Sequence, residues 1–342
     1  MRGHRARLLP LIALITLLAL LLPSALRAQT TTLKIATIVP EGSIWDATLR
    51  RMSDQWRDAT SGRVAVTVFS GGSQGDEPTL VRKMRLNTLQ GAALSIVGLA
   101  AIEPSFNVFG VPFFFQSDAE LAAVVDALTP VLRQRIEAKG FALVNWGHGG
   151  WLQLFSKTPV ASVADLKSVK LYTSAGDDRM TQWYKGQGFQ PRAMAMTDIL
   201  TGLSTGMLDA VPTTPLAAVA FQWHKHTSHM LDLRVGPVVG ATVIARRAWD
   251  RISADDRAVL ARVASAAEDR LRQDVPKQEA LAVLLMQSQG LTMTKATGPE
   301  WQQLADGLAA SMRGSMVPAD VFDLALQARA AFRQRNQAVQ AR

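Results

Sequence analysis

Between Ser253 and Met286 the chain keeps apolar residues at three-to-four spacing for over thirty positions, with Asp255 and Asp256 at the start and only Pro276 as an interruption. The pattern predicts one helix of ~45 Å at a rise of about 1.5 Å per residue, too long for one small domain. Two bodies must therefore share it. The chain length agrees: with a leader set aside, about 314 of the 342 residues remain, enough for two domains of roughly 100–200 residues each.

The leader is read at the amino terminus. Arg2, Arg5 and Arg7 precede the apolar run Leu8 to Leu22, and Ser24 to Ala28 offers small residues for cleavage, which predicts a secretory signal peptide over residues 1–28. A retained anchor is the alternative. Pro10, Thr16 and Pro23 interrupt the run, which is short against the ~20 residues a bilayer span needs. An exported chain without a single cysteine has no disulfide framework and no thiolate metal site, so its stability must come from a core. Removing the four arginines of the leader lowers the formal charge from +9 to +5. Nowhere do Lys and Arg interleave with aromatics as a nucleic-acid surface requires, so no nucleic-acid partner is expected. A mildly positive field favours anionic ligands.

Leu33 to Val39, Val64 to Phe69, Ala92 to Ser95 and Phe141 to Trp146 read as strands by length and β-branched content. Helices alternate with them: Ile44 to Thr60, carrying Trp45, Leu49, Met52 and Trp56 on one face, then Glu77 to Leu89 and Asp118 to Lys139. That order is the order of a doubly wound α/β sheet. The apolar connection Pro104 to Phe115 reads as core packing. After Gly147-His148-Gly149-Gly150-Trp151 the chain continues as strand, Leu152 to Ser156, which predicts a passage into a second domain.

The second domain is organised around Lys170 to Pro215. Val169 to Thr173 is a strand, Ser174 to Asp177 a turn, and Met180 to Lys185 a helix. Asp198 caps a second helix with Ile199, Leu200 and Leu203 on one face; Met207 to Val211 returns as strand, stopped by Pro212 to Pro215. Leu216 to His229 reads as helix and Val238 to Ala245 as a strand that crosses back. The expected domains are 29–151 with 240–275, and 152–239 with 276–342.

No catalytic set emerges. His224, His226 and His229 cluster, with His226 and His229 sharing a helical face, but no carboxylate lies among them to complete a zinc site. His148-Gly149-Gly150-Trp151 resembles an esterase oxyanion loop, yet no G-x-S-x-G elbow exists, and the third glycine of a dinucleotide loop is missing. No enzyme activity, metal or cofactor is expected. What remains is a crevice at strand ends, where an open α/β sheet binds ligands. Trp45, Trp151, Tyr172, Ser174, Thr213 and Thr214 lie at such ends, with Asp177 in the turn after Ser174, and these seven are the predicted ligand-binding residues.

Five stretches carry a resemblance: LKIATIVPEGSIWD, SGRVAVTVFSGGSQGDEPTLVRKMR, VFGVPFFF, ADLKSVKLYTSAGD and GMLDAVPTTPLAAVAFQW. In this order, over nearly the whole mature chain, they are similar to the DctP-type solute-binding subunits of TRAP (tripartite ATP-independent periplasmic) transporters. The resemblance implies two α/β lobes joined by crossing hinge strands, and a monomeric periplasmic receptor. It would close over a small organic anion and hand it to small and large membrane subunits. An ABC importer receptor or an exported hydrolase are the alternative readings. Where the family has arginine in K-I-R, this chain has Tyr172; its asparagine before proline falls near Thr214, and Gly149 to Gln153 lacks a second arginine. A phenol donates one hydrogen bond but carries no positive charge. The expected solute is therefore a less acidic or partly apolar one, an aromatic or branched acid, held by Trp151, Tyr172 and Thr214 with its anion at a helix start.

Overall fold

The computed structural model describes residues 30–340, so the predicted leader and its cut near Ala28 lie outside the described residues. Its strands are β1 (Thr31–Thr37), β2 (Val64–Phe69), β3 (Gly91–Ser95), β4 (Phe141–Ser156), β5 (Lys170–Ser174), β6 (Gln190–Met194), β7 (Ala210–Thr213), β8 (His229–Asp232), β9 (Gly236–Ala245) and β10 (Thr292–Lys295). They lie in the order β2-β1-β3-β9-β4-β7-β5-β6, with β8 pairing β4 and β10. The outer strands of each half run parallel, β2-β1-β3 on one side and β7-β5-β6 on the other, while β9 and β4 run antiparallel between them. Residues Phe141 to Leu152 of β4 pair with β9, across a register shift after His148, and Gln153 to Ser156 pair with β7. One strand thus belongs to both halves.

Alternation explains how the first half is covered on both faces. Leu33 and Ile35 of β1 turn to a core with Leu49, Met52 and Trp56 of helix Ile44–Ala59 and Leu260 and Ala264 of the long helix. Ala36 turns the other way, to Leu80, Met84, Phe106 and Leu128. The Pro104–Gly110 segment forms a 3-10 turn whose Phe106, Val108 and Phe109 are fully buried, with Phe109 edge-on to Trp146 at 5.4 Å. Its hydrophobicity is that of a core, as read from the sequence.

The long helix runs Ala254–Ser288, through Pro276. Its 35 residues span about 52 Å at 1.5 Å each. Leu260 and Ala264 sit in the first half's core, whereas Met286 packs with Phe155, Val211 and Trp223 of the second. The C-terminal segment, grouped by sequence with the second half, inserts Leu308, Met312, Val321 and Phe322 into the core that holds helix Asp118–Ala138.

Three local readings are corrected. Leu216 to His229 is not one helix: helix Pro215–Ala220 ends, Gln222 takes a left-handed φ of 61°, a 3-10 turn follows at Trp223–His226, and His229 opens β8. Stacking of Phe221 on Trp223 at 4.7 Å fixes that break, so His226 and His229 share no helical face. The strand expected at Met207 to Val211 is Ala210–Thr213 and contains Pro212. β7 meets β5 only at Ala210, so at Pro212 it has a neighbour on one side and a missing N–H is tolerated. Asp198 makes no side-chain cap.

Candidate functional site

The sheet face that carries Leu33 and Ile35 is apolar beneath Trp56, and it turns polar towards the carboxyl ends of β1 and β3. Register produces the change in one step. Thr37 lies beside Ala93, Ala93 beside Thr242, and Thr242 beside Asn145, so three polar residues cross four strands in a row. In the next row Ser95 lies beside Gly240 and Gly240 beside Gly147, and the two glycines leave the face bare. A cavity of about 210 Å³ fills this hollow. Trp45, Thr48 and Met52 of the first helix wall it on one side, and Ala267 and Leu271 of the long helix on another. The second half closes it with Tyr172, Met196, Thr213, Thr214, Phe221 and Trp223.

Four of the seven predicted residues therefore meet at one cavity: Trp45, Tyr172, Thr213 and Thr214. The Trp45 indole N–H donates to the His148 carbonyl at 3.0 Å, tying the first helix to β4. Burial pushes the Tyr172 phenol above its ordinary 10.0, with the Ser174 hydroxyl opposing, so it stays protonated and remains a donor. Thr214 caps helix Pro215–Ala220, accepting from the Ala217 N–H at 3.2 Å.

The other three lie elsewhere. Ser174 lines a narrow seam with Asp76, Pro78 and Val97 of the first half. There a Cβ on Gly176 would stand 3.1 Å from Pro78 Cγ, and one on Gly72 would stand 2.8 Å from Thr197 Cγ2, so the halves touch through glycines. Asp177 caps helix Asp178–Gly186 by accepting from the Met180 N–H at 3.0 Å. Trp151 is turned into the core, its indole N–H donating to Asp118 Oδ1 at 3.1 Å. A register shift between His148 and Trp151, with Gly150 at φ 90°, redirects it.

Charge in the wall is sparse. Among the described lining residues there is no Lys or Arg, and the titratable groups besides Tyr172 are Glu77 and His148. Glu77 accepts from the Ser95 N–H at 2.6 Å, the Ser95 hydroxyl at 2.6 Å and the Gly98 N–H at 2.9 Å. Those donors open helix Ile96–Ile102, so this helix start is already filled. Burial nonetheless pushes the Glu77 carboxyl up. Among the described residues no group of three His, Cys, Asp or Glu could hold a metal ion.

Behind the cavity, Glu279 of the long helix accepts from the Trp151 N–H at 3.1 Å. Its Oε1 has no hydrogen-bond partner, and a Cβ on Gly150 would lie 2.2 Å from its Cδ. Burial pushes the Glu279 carboxyl up, against the Trp151 amide and, more weakly, the nearby Thr214 hydroxyl and Leu216 amide. Glu268, which accepts from the Trp146 N–H at 2.9 Å, is raised by burial likewise. A carboxyl raised on folding keeps its proton after the unfolded chain has released its own. Stability is therefore lost as pH climbs from about 4.5, the unfolded value, through the folded values of Glu77, Glu268 and Glu279. Glu279→Gln is expected to flatten that decline in urea midpoints measured upwards from about pH 4.5. Identical slopes for variant and wild type would show that Glu279 contributes nothing to it.

A cleft between two half-sheets, walled by apolar side chains and hydroxyls, defines a protein that takes up a small solute. The chain matches the family model for bacterial extracellular solute-binding protein, family 7 (DctP) over residues 35–316, and it belongs to that family. It is similar to a solute-binding protein of Roseobacter denitrificans, 26% identical over 314 residues that cover 90% of this chain and 95% of the relative. Among solved structures it is similar to DctP7, a Bordetella pertussis extracytoplasmic solute receptor binding pyroglutamic acid. That match has a TM-score of 0.81 and 21% identity, and covers 88% of this chain and 100% of the other. Another match is a TRAP periplasmic solute-binding protein of Roseobacter denitrificans with bound L-galactonate, at a TM-score of 0.79 and 20% identity over 88% and 99% of the two chains. The two-lobed α/β architecture read from the sequence is the architecture observed.

Proposed function

We propose that this chain is the periplasmic receptor of a TRAP transporter, that it carries out no chemistry, and that it closes over a small organic acid with an apolar body. The lobes would be 29–151 with 240–275, and 152–239 with 276–342, Val321 and Phe322 of the last segment packing into the first lobe's core. Closure would bring Tyr172, Thr213 and Thr214 onto a solute lying on the β1-β3-β9-β4 floor, and the closed form would be what the membrane subunits receive. One observation carries the reading: a mainly apolar cavity between the two half-sheets that is edged by hydroxyls and has no Lys or Arg among its described lining residues.

Similar proteins take organic acids, pyroglutamic acid and L-galactonate among them, which supports an acid here too. Without an ion pair, the carboxylate would be met by neutral donors, the Tyr172 phenol first. Thermal-shift titration of the mature protein with a panel of organic acids tests this. Monocarboxylates with branched or aromatic bodies are expected to raise the melting temperature more than succinate or malate, and Tyr172→Phe to weaken them about tenfold or more. Strong stabilisation by succinate with Tyr172→Phe indifferent would overturn the reading.

A further inference from the structure

Asn145 stands in the polar row of the cavity floor with half of its amide unused. Its amide N–H donates to the Trp146 carbonyl at 2.9 Å, which fixes the side chain, because a flipped amide would set two oxygens against each other. The residue is 7% exposed, lines the cavity, and its Oδ1 has no hydrogen-bond partner. A buried acceptor left unpaired carries a desolvation cost. Beside it stands Thr242, 6% exposed and also in the cavity wall. Across the cavity the strand tips offer donors, Tyr172 above all.

From this we infer that Asn145 Oδ1, supported by Thr242, is a specificity-determining acceptor for a neutral donor on the solute, an O–H or an amide N–H. The inference rests on the organic-acid reading and sharpens it. The acid carries its carboxylate towards Tyr172 and its donor towards Asn145, with an apolar body between. A deoxy analogue leaves the acceptor buried and unpaired, and sites built in this way reject such analogues strongly. A second carboxylate in the donor's place would face an acceptor with no cation nearby.

Calorimetry with matched pairs tests this. The pairs are 2-hydroxy-4-methylpentanoate with 4-methylpentanoate, 3-phenyllactate with 3-phenylpropanoate, and pyroglutamate with cyclopentanecarboxylate, the last separating an N–H from an O–H donor. For at least one pair the donor-bearing acid is expected to bind about tenfold or more tightly than its partner. Asn145→Ala should shrink that preference below about threefold, and Thr242→Val should shrink it in part. Equal binding within every pair, or a preference that survives in Asn145→Ala, overturns the assignment and leaves the organic-acid reading standing. Should Asn145→Ala fail to fold, Thr242→Val and the wild-type pairs decide alone. Binding of no acid in either series overturns the organic-acid reading and this proposal with it.

Discussion

Trp56→Ala is expected to lower the unfolding free energy by about 3–5 kcal/mol, read as a shift of the urea midpoint at constant slope. The side chain is fully buried, packed between Leu33, Met52 and Leu260, and its indole N–H donates to the Leu260 carbonyl at 3.1 Å. It joins helix Ile44–Ala59 to the long helix over the face that further along becomes the cavity floor. Truncation removes the packing, leaves a void and loses the bond to the Leu260 carbonyl. Trp56→Phe restores most of the volume without the hydrogen bond and should fall short of wild type by only ~1 kcal/mol from that bond. A loss below about 1 kcal/mol for the alanine variant would show that the two helices do not depend on this residue.

The second large effect is expected at Gly240. A Cβ there would lie 2.7 Å from the Leu94 carbonyl oxygen on the neighbouring strand, and backbone, unlike the end of a side chain, cannot step aside. Gly240→Ala should therefore strain the β3–β9 pair, lowering stability by about 1–3 kcal/mol. The methyl group would also stand in the row that hollows the cavity. Affinity for the tightest-binding acid of the panel is expected to fall about tenfold or more, beyond what lost stability explains. Wild-type affinity in a folded variant would place the solute away from this floor.

How far the sequence foretold this molecule depended on how local each signal was. The long helix was legible because its apolar positions repeat at three-to-four spacing from Leu260 to Val275 and resume at Ala282 and Met286. The first three strands were legible because each is bounded by its own loop residues. β8 and β10, four residues each, pair only with one another and a short stretch of β4, and nothing within either segment announces so distant a partner. At the site, Tyr172, Thr213 and Thr214 could be found because the ends of parallel strands face a crevice. Trp151 looked equivalent, but the shift in β4 carries it to Asp118. Asn145, Thr242 and Thr37 gave no such sign. Their alignment is a property of three registers together, which single-strand periodicity does not contain.

Because β4 is a member of both half-sheets, the polypeptide travels from one half to the other along β4, returns along β9, and crosses again within the long helix. No single cut yields two pieces that each own a full set of strands. Folding of either half must wait on segments made far along the sequence, Ala245 of β9 for the first and Lys295 of β10 for the second. Such a chain matures as one indivisible unit, late in synthesis, and a fragment ending at either crossing would be left with raw strand edges that seek partners in other molecules.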